Sequence, residues 1–193
     1  MATTLTPIEA RRAMLMQFWR AGYYQTTVAD LAAAAQLSRS QFYRQYHSKT
    51  VAARQCLQLY QDVLNQELTR LVAREKARQT PPAAIISACC LWPFQSDQWP
   101  RGCWMVDLLA TLAPDQAPVL TAQLQALYAD LQSRFVGWLA PQAAQLDAPL
   151  AEVAASLMQV RTGLQLLAKQ DPSAAQLKQQ ATTSVNLILK GIA

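Results

Sequence analysis

The sequence predicts an all-α chain: an N-terminal three-helix bundle over residues 1–50, followed by a larger helical domain over residues 51–193. Three observations predict it. Capping signatures and apolar residues at three- and four-residue spacing recur along the chain, while the alternation of a half-buried strand is absent. Hydrophobic residues make up 52% and charged ones 15% of the 193 residues, too apolar for a disordered or fibrous chain and apolar enough that a partner subunit is expected to cover part of the surface. Pro114, Pro118, Pro141, Pro149 and Pro172 punctuate the second half where helices end and restart.

The first helix opens at Thr6-Pro7-Ile8-Glu9, where Thr6 caps, Pro7 suits the first helical position and Glu9 reaches back to the Thr6 amide. Met14, Leu15 and Phe18 share one face, and Gly22 is the expected stop. A short second helix starts at Thr27, with Val28, Leu31, Ala32 and Ala35 on one side. Gln36-Leu37 breaks it. Ser38-Arg39-Ser40-Gln41 then begins a third helix as a capping box, with Leu37 and Phe42 as a hydrophobic staple. Phe42 and Tyr46 turn inward together, which leaves Arg39, Ser40, Gln41, Tyr43 and Arg44 facing out. Ser48 caps a long fourth helix from Lys49 to about Arg78. Thr80-Pro81-Pro82 restarts the chain, Trp92–Pro100 is its most irregular segment, and helices follow at about 102–112, 116–139, 149–169 and 173–190.

Net charge is +5, and its placement says more than its size. Residues 1–54 hold Arg11, Arg12, Arg20, Arg39, Arg44, Lys49 and Arg54 against Glu9 and Asp30, which accounts for the entire excess, since the rest of the chain is balanced. That placement suits a segment that meets a polyanion. No apolar leader or membrane-length stretch is visible, so a cytoplasmic protein is expected. Cys56, Cys89, Cys90 and Cys103 form no CxxC pair, and the single His47 cannot complete a zinc set; free buried thiols, no metal and no cofactor are the expectation. No carboxylate pair, phosphate loop or accessible triad points to an enzyme.

Two short helices joined by a tight turn, the second starting with small polar and basic side chains, form the arrangement that places a helix N-terminus in the DNA major groove. A small three-helix core with a solvated polar face has the same spacing. The blocks Phe18-Trp19-Arg20-Ala21-Gly22-Tyr23, Thr26-Thr27-Val28-Ala29-Asp30-Leu31-Ala32, Leu37-Ser38, Phe42-Tyr43 and Tyr46-His47-Ser48-Lys49 decide between them. In order, spacing and residue type they resemble the N-terminal signature of TetR/AcrR regulators across about residues 14–50. The resemblance implies a helix-turn-helix protein with Thr27 and Lys49 on phosphates and a recognition helix carrying Ser38, Arg39, Ser40, Gln41, Tyr43 and Arg44. Tyr43 also falls where the family touches the DNA backbone, and His47 lies in the connection that follows. Gln36 stands where the family has Gly in the turn, which calls for an uncommon backbone conformation, and Ser40 replaces a frequent Gly. Gln41 has two readings, as capping partner or as reader of a base edge.

Beyond residue 55 the resemblance is looser. Arg101-Gly102-Cys103-Trp104-Met105-Val106 is similar to the start of a sensor-domain helix in one branch of the family, and the final helices to its dimerisation pair. The implied protein is a homodimeric, ligand-binding regulator, a repressor that leaves a palindromic operator when a small hydrophobic or aromatic effector binds, with the fourth helix as coupling element. The competing reading is a helix-turn-helix protein controlled by a protein partner. Leu157, Val160, Leu164, Leu167, Val185, Ile188 and Leu189 offer apolar faces for a dimer or for the chain's own core. Trp92, Phe94, Trp99, Trp104, Tyr128, Phe135 and Trp138 are the candidate lining of an apolar pocket, with core packing as the alternative for each. Cys103 shows no cluster of positive charge beside it in sequence that would favour a thiolate.

Overall fold

The computed structural model describes residues 5–93, 98–170 and 172–189. Among these residues every element is helical: α1 (Pro7–Ala21), α2 (Val28–Ala34), α3 (Arg39–Tyr46), α4 (Lys49–Ala77), α5 (Pro82–Leu91), α6 (Trp104–Thr111), α7 (Pro118–Leu139), a 3-10 segment (Ala140–Gln145), α8 (Leu150–Ala168) and α9 (Ala174–Ile188). No described helix is long and apolar enough to cross a membrane. The chain forms two compact units, Met1–Leu64 with Asp107–Ala126, and Asn65–Val106 with Leu127–Ala193.

In the first unit the helix starts follow from side chains that satisfy the otherwise orphaned first-turn amides. Thr6 and Glu9 close a reciprocal capping box on α1, Ser38 and Gln41 close one on α3, and Ser48 Oγ accepts the Val51 amide of α4 at 3.2 Å. The sequence also held an unread third box: Thr27 and Asp30 cap α2 in the same way. Gly22 ends α1 at φ +85, a region open to glycine at little steric cost, and its amide donates to the Phe18 carbonyl at 2.8 Å. Gln36 adopts φ +57, the uncommon conformation its place in the turn calls for, so that the amides of Gln36 and Leu37 return to the carbonyls of Ala33 and Ala32.

α1 packs on α2 and α2 on α3. Met14, Leu15, Phe18, Leu31 and Phe42 have no exposed surface and Tyr46 almost none, each worth roughly 1.5–3 kcal/mol of transfer free energy for the aliphatic and phenyl side chains. Trp19 meets Tyr60 of α4 edge-on at 5.3 Å, and Tyr23 Oη shares a hydrogen bond with Thr50 Oγ1 at 3.0 Å, which fix α4 against α1 and its following turn. The Ala113 amide donates to Tyr24 Oη at 2.9 Å, and Gln123 of α7 donates to the Arg54 carbonyl at 3.1 Å, joining residues 107–126 to this unit.

In the second unit α5 packs against both α8 and α9, and α8 against α9. Its core contains a fully buried guanidinium. Arg161 Nη1 donates to the carbonyls of Trp92 (2.7 Å), Cys90 (3.1 Å) and Cys89 (3.2 Å), and Gln165 Nε2 donates to those of Cys90 (2.8 Å) and Trp92 (3.0 Å). A cation on the last carbonyls of α5 opposes the negative end of the helix and satisfies acceptors that have no partner within it. The four cysteines are buried thiols outside any disulfide, as their spacing predicts, and burial pushes the thiols of Cys56 and Cys90 up to about 12 and that of Cys89 upward as well.

Candidate functional site

α3 is the element that the N-terminal packing presents. Phe42 and Tyr46 anchor it from below, ring centroids 5.3 Å apart, and Arg39, Ser40, Gln41, Tyr43 and Arg44 are all exposed, as the spacing predicts. Arg39 lies over the Tyr43 ring at 5.9 Å, one turn along the same face. Ser38 Oγ meets Ser40 Oγ at 3.0 Å and accepts the Gln41 amide, while Gln41 Oε1 accepts the Ser38 amide at 2.7 Å. Of the two readings of Gln41, the free protein shows the cap. His47 is exposed and ends α3 at φ +61, its amide donating to the Tyr43 carbonyl at 3.0 Å.

Two candidate phosphate contacts are engaged elsewhere. Both the amide and the hydroxyl of Thr27 donate to Asp30 Oδ2, at 2.8 and 2.7 Å, and these bonds hold the Asp30 carboxyl below its ordinary range. Lys49 turns inward. Its ammonium donates to the carbonyls of Tyr23 (2.9 Å), Thr26 (3.1 Å) and Tyr24 (3.4 Å) and sits 4.5 Å from the Tyr23 ring centroid, and burial lowers its pKa. An ammonium has three donors, and here all three point at the turn between α1 and α2. The geometry thus gives Lys49 a place in holding the α1–α2 turn on α4, where the resemblance implied a contact with DNA phosphate.

The aromatic candidates of the second half divide. Trp104, Phe135 and Trp92 are core residues, at 1%, 0% and 8% exposure, Trp99 and Tyr128 are half-buried, and Phe94 lies outside the described residues. Trp138, packed on Phe135 with centroids 5.2 Å apart, lines a cavity of about 450 Å³ between the end of α4, the start of α5 and the 3-10 segment. Val72, Ile85 and Ile86 form its apolar wall, with Lys76 and Gln142 among its polar residues. No aromatic spacing could have marked those aliphatic residues, which only the tertiary fold brings to Trp138. Cys103 also differs from its sequence reading: Arg161, 58 residues away, places Nη2 3.7 Å from its sulfur, a positive charge invisible in the local sequence.

A helix-turn-helix with a capped, outward-facing second helix and the chain's whole basic excess around it defines a DNA-binding protein of the regulator class. Residues 12–51 match the family model for bacterial regulatory proteins of the tetR family. The chain is 26% identical over 178 residues to the HTH-type transcriptional repressor ComR of Escherichia coli, spanning 88% of this chain and 82% of that protein. Its fold matches the TetR family transcriptional regulator CifR, a cysteine mutant in complex with 26-base-pair double-strand operator DNA, at a TM-score of 0.80 and 22% identity over 96% of this chain and 98% of that one. It also matches the reduced form of Escherichia coli NemR at a TM-score of 0.74 and 18% identity, over 95% and 98% of the two chains. Residues 12–51 thus carry a tetR-type helix-turn-helix, and the chain as a whole shares the fold of TetR family transcriptional regulators.

Proposed function

We propose that the protein is a homodimeric repressor whose hold on a palindromic operator is released when a small, largely apolar effector enters the second compact unit. The observation that carries the DNA-binding half is α3, where Arg39, Ser40, Gln41, Tyr43 and Arg44 stand exposed on a helix whose opposite side is anchored by Phe42 and Tyr46. Arg39, Tyr43 and Arg44 have the reach for base edges and phosphates, and Ser38 and Ser40 at the helix start leave room for close approach. Lys49 and Thr27 act in this reading by fixing the turn and the start of α2.

A dimer is supported by apolar surface near the C-terminus. Leu166 and Leu167 of α8 and Leu187 of α9 are 43%, 46% and 61% exposed, apolar side chains on the two final helices that a partner surface can cover. Of the faces the sequence offered, Leu157, Leu164, Val185 and Leu189 are taken by the core, Val160 and Ile188 are half-buried, and Leu167 is exposed for a partner. Two recognition helices related by a twofold axis meet half-sites about 34 Å apart, or a multiple of it. Resemblance to the ComR repressor favours repression, and a ligand that prefers one sensor conformation weakens DNA binding by about 1–3 kcal/mol through linkage.

The test selects bound duplexes from a random library and sedimentation measures the protein with and without the selected site. A twofold-symmetric site bound by two chains is expected. Selection of asymmetric or unrelated sequences, or a protein that stays monomeric at micromolar concentration, overturns the reading.

A further inference from the structure

Resting on the reading of the second unit as a sensor, we propose that the cavity beside Trp138 is a binding site for an amphipathic monocarboxylate, a flat apolar body carrying one carboxylate and a hydroxyl or amide donor. The cavity, at about 450 Å³, lies within the roughly 300–1,000 Å³ that small-molecule sites occupy. Val72, Ile85 and Ile86 are buried around it, and the half-buried Trp138 ring offers a planar surface to stack on.

Two polar groups set the ligand's chemistry. Lys76 is the charged residue of the lining, and its ammonium has no ion pair or hydrogen bond among the described residues. The neighbouring acid does not neutralise it. Glu75 is engaged by Arg74 at 2.9 Å, Thr80 at 3.0 Å and Arg78 at 3.5 Å, and these partners, Arg74 foremost, hold its carboxyl below the ordinary range. Gln142, on the 3-10 segment, has a side-chain oxygen buried without a hydrogen-bond partner among the described residues. A lone ammonium at an apolar pocket suits a carboxylate, whereas a phosphate dianion calls for several donors to replace its water. A buried acceptor that lacks a donor suits a ligand that brings one.

The experiment uses the full-length dimer and isothermal titration calorimetry with three probes: 6-hydroxy-2-naphthoate, its methyl ester, and 2-naphthoate. The hydroxy acid is expected to saturate one site per chain and to bind about threefold to fivefold tighter than its ester, the scale of a partly exposed ion pair. Lys76→Met should abolish the acid–ester difference and leave the ester unchanged; at this exposed position an unchanged circular dichroism spectrum is expected. Gln142→Leu should erase the preference for the hydroxy acid over 2-naphthoate, and Trp138→Ala should weaken all three probes. Equal affinity of acid and ester in the parent protein, an acid preference that survives Lys76→Met, or the absence of saturable binding overturns the site. Operator release is scored separately. Lys76-dependent binding without release keeps the site and separates it from regulation, while absence of saturable binding by the three probes, together with release by another compound that is indifferent to Lys76→Met and Trp138→Ala, overturns the site and leaves the sensor reading standing.

Discussion

The helix-turn-helix and the α5–α8 core solve the same problem, unsatisfied backbone groups at helix ends, by opposite means. At the N-terminal helices the solution is local: Thr6 with Glu9, Thr27 with Asp30 and Ser38 with Gln41, each three residues apart and each exposed. At the end of α5 it is remote, since Arg161 and Gln165 cap carbonyls 69 to 75 residues upstream and are buried. The difference teaches where stability is distributed. Local exposed caps contribute roughly 1 kcal/mol apiece, while a buried charge fixed by several acceptors cannot be removed without leaving them stranded.

The largest effect is therefore expected from Arg161→Met, at about 3 kcal/mol of lost stability in urea unfolding, with amide exchange accelerated in α5 and α8 and little changed in α1–α3. A loss below about 1 kcal/mol would mean that the cluster relaxes, and the comparison between the regions would fail.

Lys49 sharpens the comparison because it is a remote cap inside the local half. Lys49→Ala is expected to cost about 1 kcal/mol of stability by freeing the Tyr23, Tyr24 and Thr26 carbonyls, and to leave the salt dependence of operator binding unchanged. A slope reduced by about one counterion per subunit, with stability intact, would restore it to the phosphate backbone.

The smallest effect belongs to Gln41→Ala. Loss of half a capping box costs about 0.5 kcal/mol, and binding to all operator variants should weaken alike. Titration of single-base variants is the check: relaxed preference at one base pair would show that Gln41 leaves its cap to read DNA.

These same residues explain what could be read from sequence. Capping boxes, the Phe42–Tyr46 anchor and the outward face of α3 are spelled within one or two turns, so residue type and spacing suffice. The Thr27–Asp30 box was spelled equally plainly and needed only the recognition that Asp serves as well as Glu at that position. The bonds of Lys49 could not be read because its partners lie 23 to 26 residues earlier, and backbone carbonyls leave no residue-type signal. The candidate sensor site was the least legible. Aromatic enrichment drew attention to Trp104 and Phe135, which fill the core, whereas the cavity wall joins Trp138 to aliphatic residues that look like any other packing positions.

The Arg161 cluster bears finally on the order in which the chain acquires structure. A capping box closes within one turn and can form while the rest of the chain is still fluctuating, on the submicrosecond scale of helix–coil relaxation. The guanidinium has no such freedom: it gives up its water at a favourable exchange only when α5 has ended at Trp92 and α8 lies across it, a closure over about 70 residues. Consolidation of α5 on α8 is thus a late event of high contact order, and a nascent chain released before α8 is synthesised holds the last carbonyls of α5 without their cation.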